Sequence, residues 1–221
     1  MPNPTPDALI FDLDGTLIDS VPDMMLAVNR LLATYDRRPL AAEEVRGMVG
    51  DGAIELVRRA FAVTGAAIDP ERQGGAFERY IDFYAEHPAS RSAFYPGVSE
   101  TLEALAAAGH RLALCTNKPE RVMRPLLDIL GLAARFEVVL GAGVLPVRKP
   151  DPAPVRWVLD RLEVAPAAAL MVGDSRNDVL SAKAAGVRVV AVSYGYTRIP
   201  AAELGADLVI DRFAELLEVA G

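Results

Sequence analysis

Residues 8–16 read ALIFDLDGT, an apolar run that ends in two acidic residues, a glycine and a threonine. Four consecutive apolar residues from Ala8 to Phe11 are typical of a strand that is buried on both faces of a parallel sheet. Asp12 and Asp14 then follow at the carboxyl end of that strand, where open α/β sheets place their ligand sites. This stretch therefore predicts both the architecture and the position of a polar site.

Short apolar runs of the same kind recur along the chain. They are Leu112–Cys115, Val138–Leu140, Leu170–Val172, Val189–Val192 and Leu208–Ile210. The segments between them are long enough to hold crossover helices, and from about Pro96 onward strands and helices alternate. We therefore predict an α/β fold, a doubly wound parallel sheet with a Rossmann-like core.

One segment interrupts this alternation. Between Thr16 and Pro96 no convincing strand is found, but four stretches carry apolar residues at helical spacing. They are Val21–Ala33, Ala41–Met48, Ile54–Ala62 and Glu71–Glu86. We predict an all-helical cap domain at residues 17–95, inserted into a catalytic core formed by residues 1–16 and 96–221. Turn-forming residues at both borders suit a hinged module.

Composition limits the class of partner. The 221 residues carry a net charge of −7, which argues against nucleic acid because phosphate-backbone binding needs a basic face. The apolar runs are too short to span a membrane, and residues 1–6 lack the features of a signal peptide, so we expect a cytoplasmic protein without a membrane partner. Cys115 is the only cysteine, which excludes an intramolecular disulfide and a thiolate metal cluster.

Lysine is rare in this sequence. Of the 23 basic residues, only Lys118, Lys149 and Lys183 are lysines, and the other 20 are arginines. A preference this strong raises the question of what each retained lysine does.

Polar residues follow the predicted strand ends and should meet at one edge of the sheet. They are Asp12 and Asp14, Thr116 and Asn117, Lys149, and Asp174 with Asp178. Crowded carboxylates repel one another unless a cation lies among them, and oxygen ligands favour a hard ion such as Mg²⁺. Such a site suits phosphoryl transfer, in which one aspartate attacks phosphorus and the other exchanges protons with the leaving alkoxide and the attacking water.

These motifs resemble those of the haloacid dehalogenase superfamily phosphatases, and the likeness covers nearly the whole chain. Residues 12–16 resemble the family's D-x-D-G-T loop, Thr116 ends its second motif, Lys149 is its third, and residues 173–178 are its fourth. The order and spacing of the four motifs are those of the family. A D-x-D-G-T loop alone is moderately specific, whereas the ordered set of four is very specific.

The resemblance implies a role for each site residue. Asp12 would be the nucleophile and Asp14 the general acid and base, and Mg²⁺ would be held by the Asp12 carboxylate, the Asp14 main-chain carbonyl and Asp174. The remaining residues would bind the phosphoryl group or support the site: Thr116 and Lys149 grip the phosphoryl group, Asn117 offers donors beside Thr116, and Asp178 orients Lys149 and supports the metal shell.

A narrower likeness concerns the substrate. Residues 17–20, residues 49–53 and the fourth motif with residues 182–186 resemble bacterial phosphoglycolate phosphatases. This implies a small phosphorylated metabolite, 2-phosphoglycolate, as the substrate of a monomer or homodimer. Because that substrate carries a carboxylate beside its phosphate, Arg46 in the predicted cap is a candidate to bind it through a bidentate pair.

Other functions use similar residues. A phosphosugar phosphatase or a phosphoglucomutase-like enzyme shares much of the pattern. A phosphoacceptor regulatory domain also combines an acidic magnesium pocket with a threonine and a lysine. The second acid, Asp14, and the long helical insert argue against the regulatory domain. A dehalogenase has no use for an acid at Asp14.

Overall fold

The computed structural model describes residues 5–221. Residues 1–4, the larger part of the lead in which no signal peptide was found, lie outside the described residues. The strands within residues 5–221 are β1 (Ala8–Phe11), β2 (Ile18–Asp19), β3 (Ala93–Phe94), β4 (Arg111–Pro119), β5 (Val138–Ala142), β6 (Ala169–Gly173), β7 (Arg188–Val192) and β8 (Leu208–Ile210).

Helices follow most of these strands. They are α1 (Val21–Ala33), α2 (Ala42–Arg46), α3 (Ala53–Thr64), α4 (Pro70–Glu86), α5 (Val98–Ala107), α6 (Glu120–Ile129), α7 (Ala153–Leu162), α8 (Arg176–Ala185) and α9 (Leu216–Ala220). None of the helices in the described part of the chain is long and apolar enough to cross a membrane.

The large sheet has the strand order β5-β4-β1-β6-β7-β8, and each neighbouring pair is parallel. This confirms the predicted doubly wound sheet. Phe11 at the end of β1 is in register with Leu114 of β4 on one side and Val172 of β6 on the other. The carboxyl ends of three adjacent strands therefore meet at the loop that begins with Asp12, which is the geometry that the site requires.

Side chains of β1 alternate between the two faces of the sheet, as the period of a strand demands. Leu9 and Phe11 pack into an apolar cluster with residues of α5, α6 and α9, whereas Ala8 and Ile10 pack with residues of α7 and α8. All four β1 side chains are fully buried. A strand covered by helices on both faces explains why its sequence is an unbroken apolar run.

The segment between β2 and β3 folds into α1 to α4, which pack around Leu31, Phe61 and Tyr80 in a separate apolar cluster that Val122 of α6 and Tyr196 also join. All four predicted helices are present, and α1 has the predicted bounds. The expectation that this region contains no strand is wrong, because Ile18 pairs with Phe94 and Asp19 with Ala93 in a two-stranded antiparallel ribbon. Strands of two residues are too short to leave a periodic pattern in the sequence.

Candidate active site

Three buried carboxylates meet at the carboxyl edge of the sheet. Asp12 follows β1, Asp174 follows β6, and Asp178 lies in the first turn of α8. Each offers an oxygen that lies within 4.8 Å of the others, and their residues are between 0% and 8% exposed. Sequence reasoning predicted that these residues would meet, and the structure brings them together.

One ammonium neutralises part of this charge. The Lys149 Nζ lies 2.5 Å from Asp178 Oδ1, 3.0 Å from Asp12 Oδ1 and 2.6 Å from the main-chain oxygen of Cys115. Burial lowers the pKa of Lys149, but the adjacent Asp12 and Asp178 carboxylates outweigh burial and raise the pKa above its usual range. Lys149 therefore carries a permanent positive charge beside the predicted nucleophile.

A single lysine does not balance the three acids. The pKa of Asp12 is raised to about 6, chiefly by burial. Lys149 lowers this pKa, whereas the Asp178 and Asp14 carboxylates raise it further. The pKa of Asp174 is also raised, by burial and by the charges of Asp178 and Asp12. An oxygen-only donor set with this excess of negative charge fits a hard divalent cation, which would favour the ionised carboxylates.

Glycines make room for the Asp174 carboxylate. A Cβ atom at Gly15 would lie 2.3 Å from Asp174 Oδ2, and one at Gly195 would lie 2.2 Å from Asp174 Cβ. Gly15 also has a φ of +86°, in the left-handed region that favours glycine. The main-chain N–H of Tyr196 donates to Asp174 Oδ2 over 2.6 Å. The glycine of the first motif thus lets the first loop lie directly against the acid of the fourth.

Both oxygens of Asp178 are engaged within the protein. Oδ2 accepts hydrogen bonds from the main-chain N–H of Ser175 at 3.0 Å and from its hydroxyl at 2.6 Å, and Oδ1 accepts from Lys149. Gly173 is required at this point, because its Cβ would lie 2.4 Å from Asp178 Cγ. The arrangement is suited to holding Lys149 in place.

Asn117 joins two loops rather than pointing freely into solvent. Its Oδ1 accepts from the main-chain N–H of Lys149 at 3.1 Å, and its Nδ2 donates to the Lys149 carbonyl at 2.9 Å and to the Gly50 carbonyl at 3.3 Å. Thr116 is nearly buried, and its hydroxyl accepts from the main-chain N–H of Lys118 at 3.2 Å. The loop after the second motif and the third motif are therefore held together by two hydrogen bonds between the Asn117 side chain and the Lys149 main chain.

The structure adds a second buried lysine that the motif assignment left without a role. Lys118 Nζ lies 2.9 Å and 3.2 Å from the two carboxylate oxygens of Asp14, and it donates to the Tyr84 hydroxyl at 2.7 Å. Asp14 Oδ1 also accepts from the Ser20 hydroxyl at 2.6 Å. The scarcity of lysine in the sequence was the only signal that could have indicated this residue.

A small cavity of about 40 Å³ lies between the acidic loop and the helical segment. It is lined from the sheet side by Asp12, Asp14, Thr116, Asn117, Lys118 and Pro119, and from the helical side by Met24, Val49, Gly50, Gly52, Ala53, Leu56, Tyr80 and Tyr84. The sheet side contributes the carboxylates, the hydroxyl, the amide and the ammonium, whereas the helical side contributes mainly apolar and aromatic side chains. A few convergent polar groups beside an apolar wall are typical of a site for a small ligand.

Hydrogen bonds join the two sides of the cavity. Asn177 of the fourth motif donates to the Gly50 carbonyl at 3.1 Å and to Asp51 Oδ1 at 2.9 Å. Asp51 in turn forms an ion pair with Arg59 of α3. The glycine-rich turn that follows α2 is thus hydrogen-bonded to the core.

Arg46 does not reach the cavity. Its guanidinium NH2 lies 3.1 Å from Asp19 Oδ2, and the guanidinium carbon lies 5.2 Å from the centroid of the Tyr196 ring. The Tyr196 hydroxyl donates to Asp19 Oδ1 at 2.7 Å and accepts from the main-chain N–H of Ser20 at 2.8 Å. The expectation that Arg46 faces the substrate disagrees with this placement, because α2 turns the residue toward the β2 ribbon.

Comparison with protein families and curated proteins places these motifs among known sequences. Residues 9–192 match the family model described as haloacid dehalogenase-like hydrolase. A phosphoglycolate phosphatase from Rhodospirillum rubrum is 50% identical over 215 residues, which cover 96% of this chain and 89% of that protein.

Solved structures share the whole fold. A predicted phosphoglycolate phosphatase from Haemophilus somnus 129pt superposes with a TM-score of 0.92 at 34% identity, with 99% of both chains covered. CbbY from Rhodobacter sphaeroides, crystallised as an Asp-to-Asn variant in complex with xylulose-(1,5)bisphosphate, has a TM-score of 0.81 at 27% identity and 96% coverage of both chains.

Proposed function

The chain belongs to the haloacid dehalogenase-like hydrolases, and on that premise we propose that it hydrolyses 2-phosphoglycolate to glycolate and phosphate through a phosphorylated Asp12. The observation that carries the proposal is the small cavity between the sheet and the helical segment with Asp12 and Asp14 in its wall. The family makes the chain a phosphatase, whose substrate is a small phosphorylated metabolite, rather than a phosphoacceptor regulatory domain.

In the first half-reaction, we propose that a carboxylate oxygen of Asp12 attacks phosphorus and forms an acyl-phosphate while the bond to the substrate oxygen breaks. Asp14 gives its proton to the departing alkoxide, so glycolate leaves as the alcohol. Lys149, which is 3.0 Å from Asp12, and the Thr116 hydroxyl face the phosphoryl oxygens and balance the charge that develops on them.

In the second half-reaction, Asp14 as the carboxylate takes a proton from water, and the resulting hydroxide attacks phosphorus. The bond between phosphorus and the Asp12 oxygen breaks, which releases phosphate and restores the Asp12 carboxylate. One residue serves as acid and then as base, so the two half-reactions return the enzyme to its starting protonation state.

The residues fit a bound Mg²⁺. We propose that the Asp12 carboxylate, the Asp14 main-chain carbonyl and Asp174 hold it, with Asp178 in support. When bound, Mg²⁺ supplies positive charge that neutralises the phosphoryl oxygens during transfer. The support for this assignment is the donor set itself, since burial and mutual repulsion raise the pKa of both Asp12 and Asp174.

We further propose that residues 17–95 act as a cap over a core formed by residues 1–16 and 96–221. The β2 and β3 ribbon is the natural hinge, since it is the point at which the chain leaves and re-enters the core. Closure would exclude water from the acyl-phosphate until the first product has left. The buried thiol of Cys115 suits a reducing cytoplasm, and we expect a monomer or homodimer there.

A phosphosugar phosphatase is the second candidate, because CbbY with its bound xylulose-(1,5)bisphosphate shares this fold. The phosphoglycolate phosphatase from Rhodospirillum rubrum, which is 50% identical to this chain against 27% for CbbY, favours the smaller substrate. A phosphoglucomutase-like activity would require the phosphoryl group to pass to a second hydroxyl of the same substrate, which a shift of phosphate within a hexose phosphate would reveal.

Phosphate release from a set of phosphomonoesters tests the proposal. Phosphoglycolate, ethyl phosphate and glucose 6-phosphate are compared at equal concentration, with Mg²⁺ and with a chelator. We expect Mg²⁺-dependent release with the highest kcat/KM for phosphoglycolate. Preference for the hexose phosphate would contradict phosphoglycolate as the substrate. Activity that the chelator does not affect would contradict a role for Mg²⁺.

A further inference from the structure

We infer that Lys118 is the specificity-determining residue, and that its ammonium binds the second anionic group of the substrate, the carboxylate of phosphoglycolate. The inference rests on the proposed function, since it concerns the same cavity. It starts from a requirement of that substrate. A carboxylate that a single methylene separates from the phosphorylated oxygen must enter the cavity with the phosphate, and an anion enters a poorly hydrated site only beside a positive or N–H-rich group.

The cavity offers one such cation. Among the described residues that line it, Lys118 is the only lysine or arginine. Lys149 is engaged by Asp12, Asp178 and the Cys115 carbonyl and is assigned to the phosphoryl group, and Arg46 is bound to Asp19, which does not line the cavity. The carboxylate therefore has Lys118 as its one charged partner in this conformation.

The position of the ammonium suits this task. Its contacts are Asp14 and Tyr84, and both of these residues also line the cavity. Asp14 uses both of its oxygens on the ammonium, which has three N–H donors. A substrate carboxylate can share the ammonium by replacing one Asp14 oxygen, so the substrate meets Lys118 next to the acid that protonates its leaving group.

The surroundings strengthen such a pair. The Lys118 side chain is 2% exposed, and its Nζ lies 4.6 Å from the centroid of the Tyr84 ring. Met24, Leu56 and Tyr80 form the apolar wall nearby. Removed from water, a charge-assisted hydrogen bond from this ammonium favours a ligand that carries a carboxylate over one that lacks it.

Recognition through Lys118 also depends on closure. Tyr84 belongs to α4 of the helical segment, whereas Lys118 belongs to β4 of the sheet. The hydrogen bond between them, 2.7 Å long, fixes the ammonium only when the two parts meet. Contact between the two parts therefore stabilises a bound substrate that carries a carboxylate more than one that lacks it.

The competing explanation is that Lys118 only positions Asp14. The two explanations differ in their dependence on the substrate. A residue that only positions the acid affects every phosphomonoester with a similar leaving group equally. A residue that binds the carboxylate affects phosphoglycolate more than ethyl phosphate, whose leaving group is also a primary alkoxide but carries a methyl group in place of the carboxylate.

The test measures kcat/KM for phosphoglycolate and for ethyl phosphate in the wild type and in Lys118→Met, and uses their ratio. The ratio does not depend on the fraction of folded enzyme, because both values come from the same preparation. We expect Lys118→Met to lower the ratio by roughly 10- to 100-fold, the order of one or two charge-assisted hydrogen bonds. Lys183→Met is the matched control, since Lys183 is exposed and lies 3.5 Å from Asp207, and it should leave the ratio unchanged.

Equal losses on the two substrates would overturn the inference and leave Lys118 as a positioning residue for Asp14. If Lys118→Met is inactive on both, Tyr84→Phe decides, because it removes the hydroxyl that holds the ammonium: a ratio lowered by about 2- to 10-fold supports the inference, and an unchanged ratio overturns it. A wild type that does not prefer phosphoglycolate to ethyl phosphate contradicts the proposed function itself, whatever the variants do.

Discussion

Lys149 and Lys118 are both nearly inaccessible to solvent, and each contacts one aspartate of the first loop, yet their surroundings differ. Lys149 is bound entirely by core residues, namely Asp12, Asp178 and the Cys115 carbonyl. Lys118 needs Tyr84 from the helical segment to complete its contacts.

This difference separates two tasks. A cation that is fixed by the core is present in every conformation and serves the phosphoryl group, which all substrates share. A cation whose contacts include a residue of the helical segment serves the part of the substrate that differs from one phosphomonoester to another. The comparison therefore predicts that substitution of Lys149 lowers activity on all phosphomonoesters, whereas substitution of Lys118 changes the preference among them.

The largest effect should follow from Asp12→Asn. An amide cannot attack phosphorus to form the acyl-phosphate, so turnover of every substrate should fall by about 10⁴-fold or more. The fold should persist, because burial raises the pKa of Asp12 to about 6 and a neutral side chain relieves that penalty. Phosphate release and a thermal unfolding curve check both statements. Substantial remaining activity would contradict the covalent scheme.

Lys149→Met should reduce stability as well as activity. Removing the ammonium leaves Asp178 buried without its ion-pair partner, and losing one member of a buried pair costs about 3–5 kcal/mol in the free energy of unfolding. Activity should fall by about 10²- to 10³-fold on phosphoglycolate and ethyl phosphate alike. Denaturant unfolding and the two kcat/KM values measure this. A loss of activity on phosphoglycolate alone would contradict the assignment of different tasks to the two lysines.

Asp14→Asn should reduce phosphoglycolate turnover by about 10²- to 10⁴-fold, the range of general acid–base catalysis. The first half-reaction of p-nitrophenyl phosphate should suffer less, because nitrophenolate leaves without a proton. Pre-steady-state release of each product separates the half-reactions. A loss below tenfold on phosphoglycolate would contradict the assignment of Asp14 as acid and base.

Arg46→Ala should have the smallest effect. Arg46 contacts Asp19 and the Tyr196 ring, so the variant should weaken the hinge and lower kcat/KM by about 2- to 5-fold equally on phosphoglycolate and ethyl phosphate. A selective loss of tenfold or more on phosphoglycolate would show that Arg46 reaches the substrate in another conformation, as the sequence alone suggested. That result would weaken the assignment of Lys118.

Local sequence was sufficient to predict most of the fold and the part of the site that the sheet forms. The apolar run Ala8–Phe11 and the acids after it lie within a few residues of one another, and parallel pairing brings the carboxyl ends of neighbouring strands together. The two-residue strands β2 and β3 escaped prediction because pairing over such a short length leaves no pattern.

The remaining contacts of the site depend on packing between segments that are far apart in the sequence. Lys118 and Asp14 are 104 residues apart, and their contact exists only because β4 lies beside β1. Tyr196 lies outside the four motifs, yet its main-chain N–H holds Asp174 and its hydroxyl binds Asp19 at the hinge. Arg46 looked suitable because of its charge, but the direction of α2 decides what it contacts.

A burst experiment with Asp14→Asn tests the central claim, a phosphorylated Asp12 that Asp14 later helps to hydrolyse. The variant is mixed rapidly with Mg²⁺ and p-nitrophenyl phosphate, and the release of nitrophenolate is followed together with the phosphate bound to protein. We predict a burst of one nitrophenolate per active site, an equal amount of phosphate on Asp12, and slow turnover afterwards. Continued turnover without a burst and without protein-bound phosphate, or phosphate on another residue, would contradict the account.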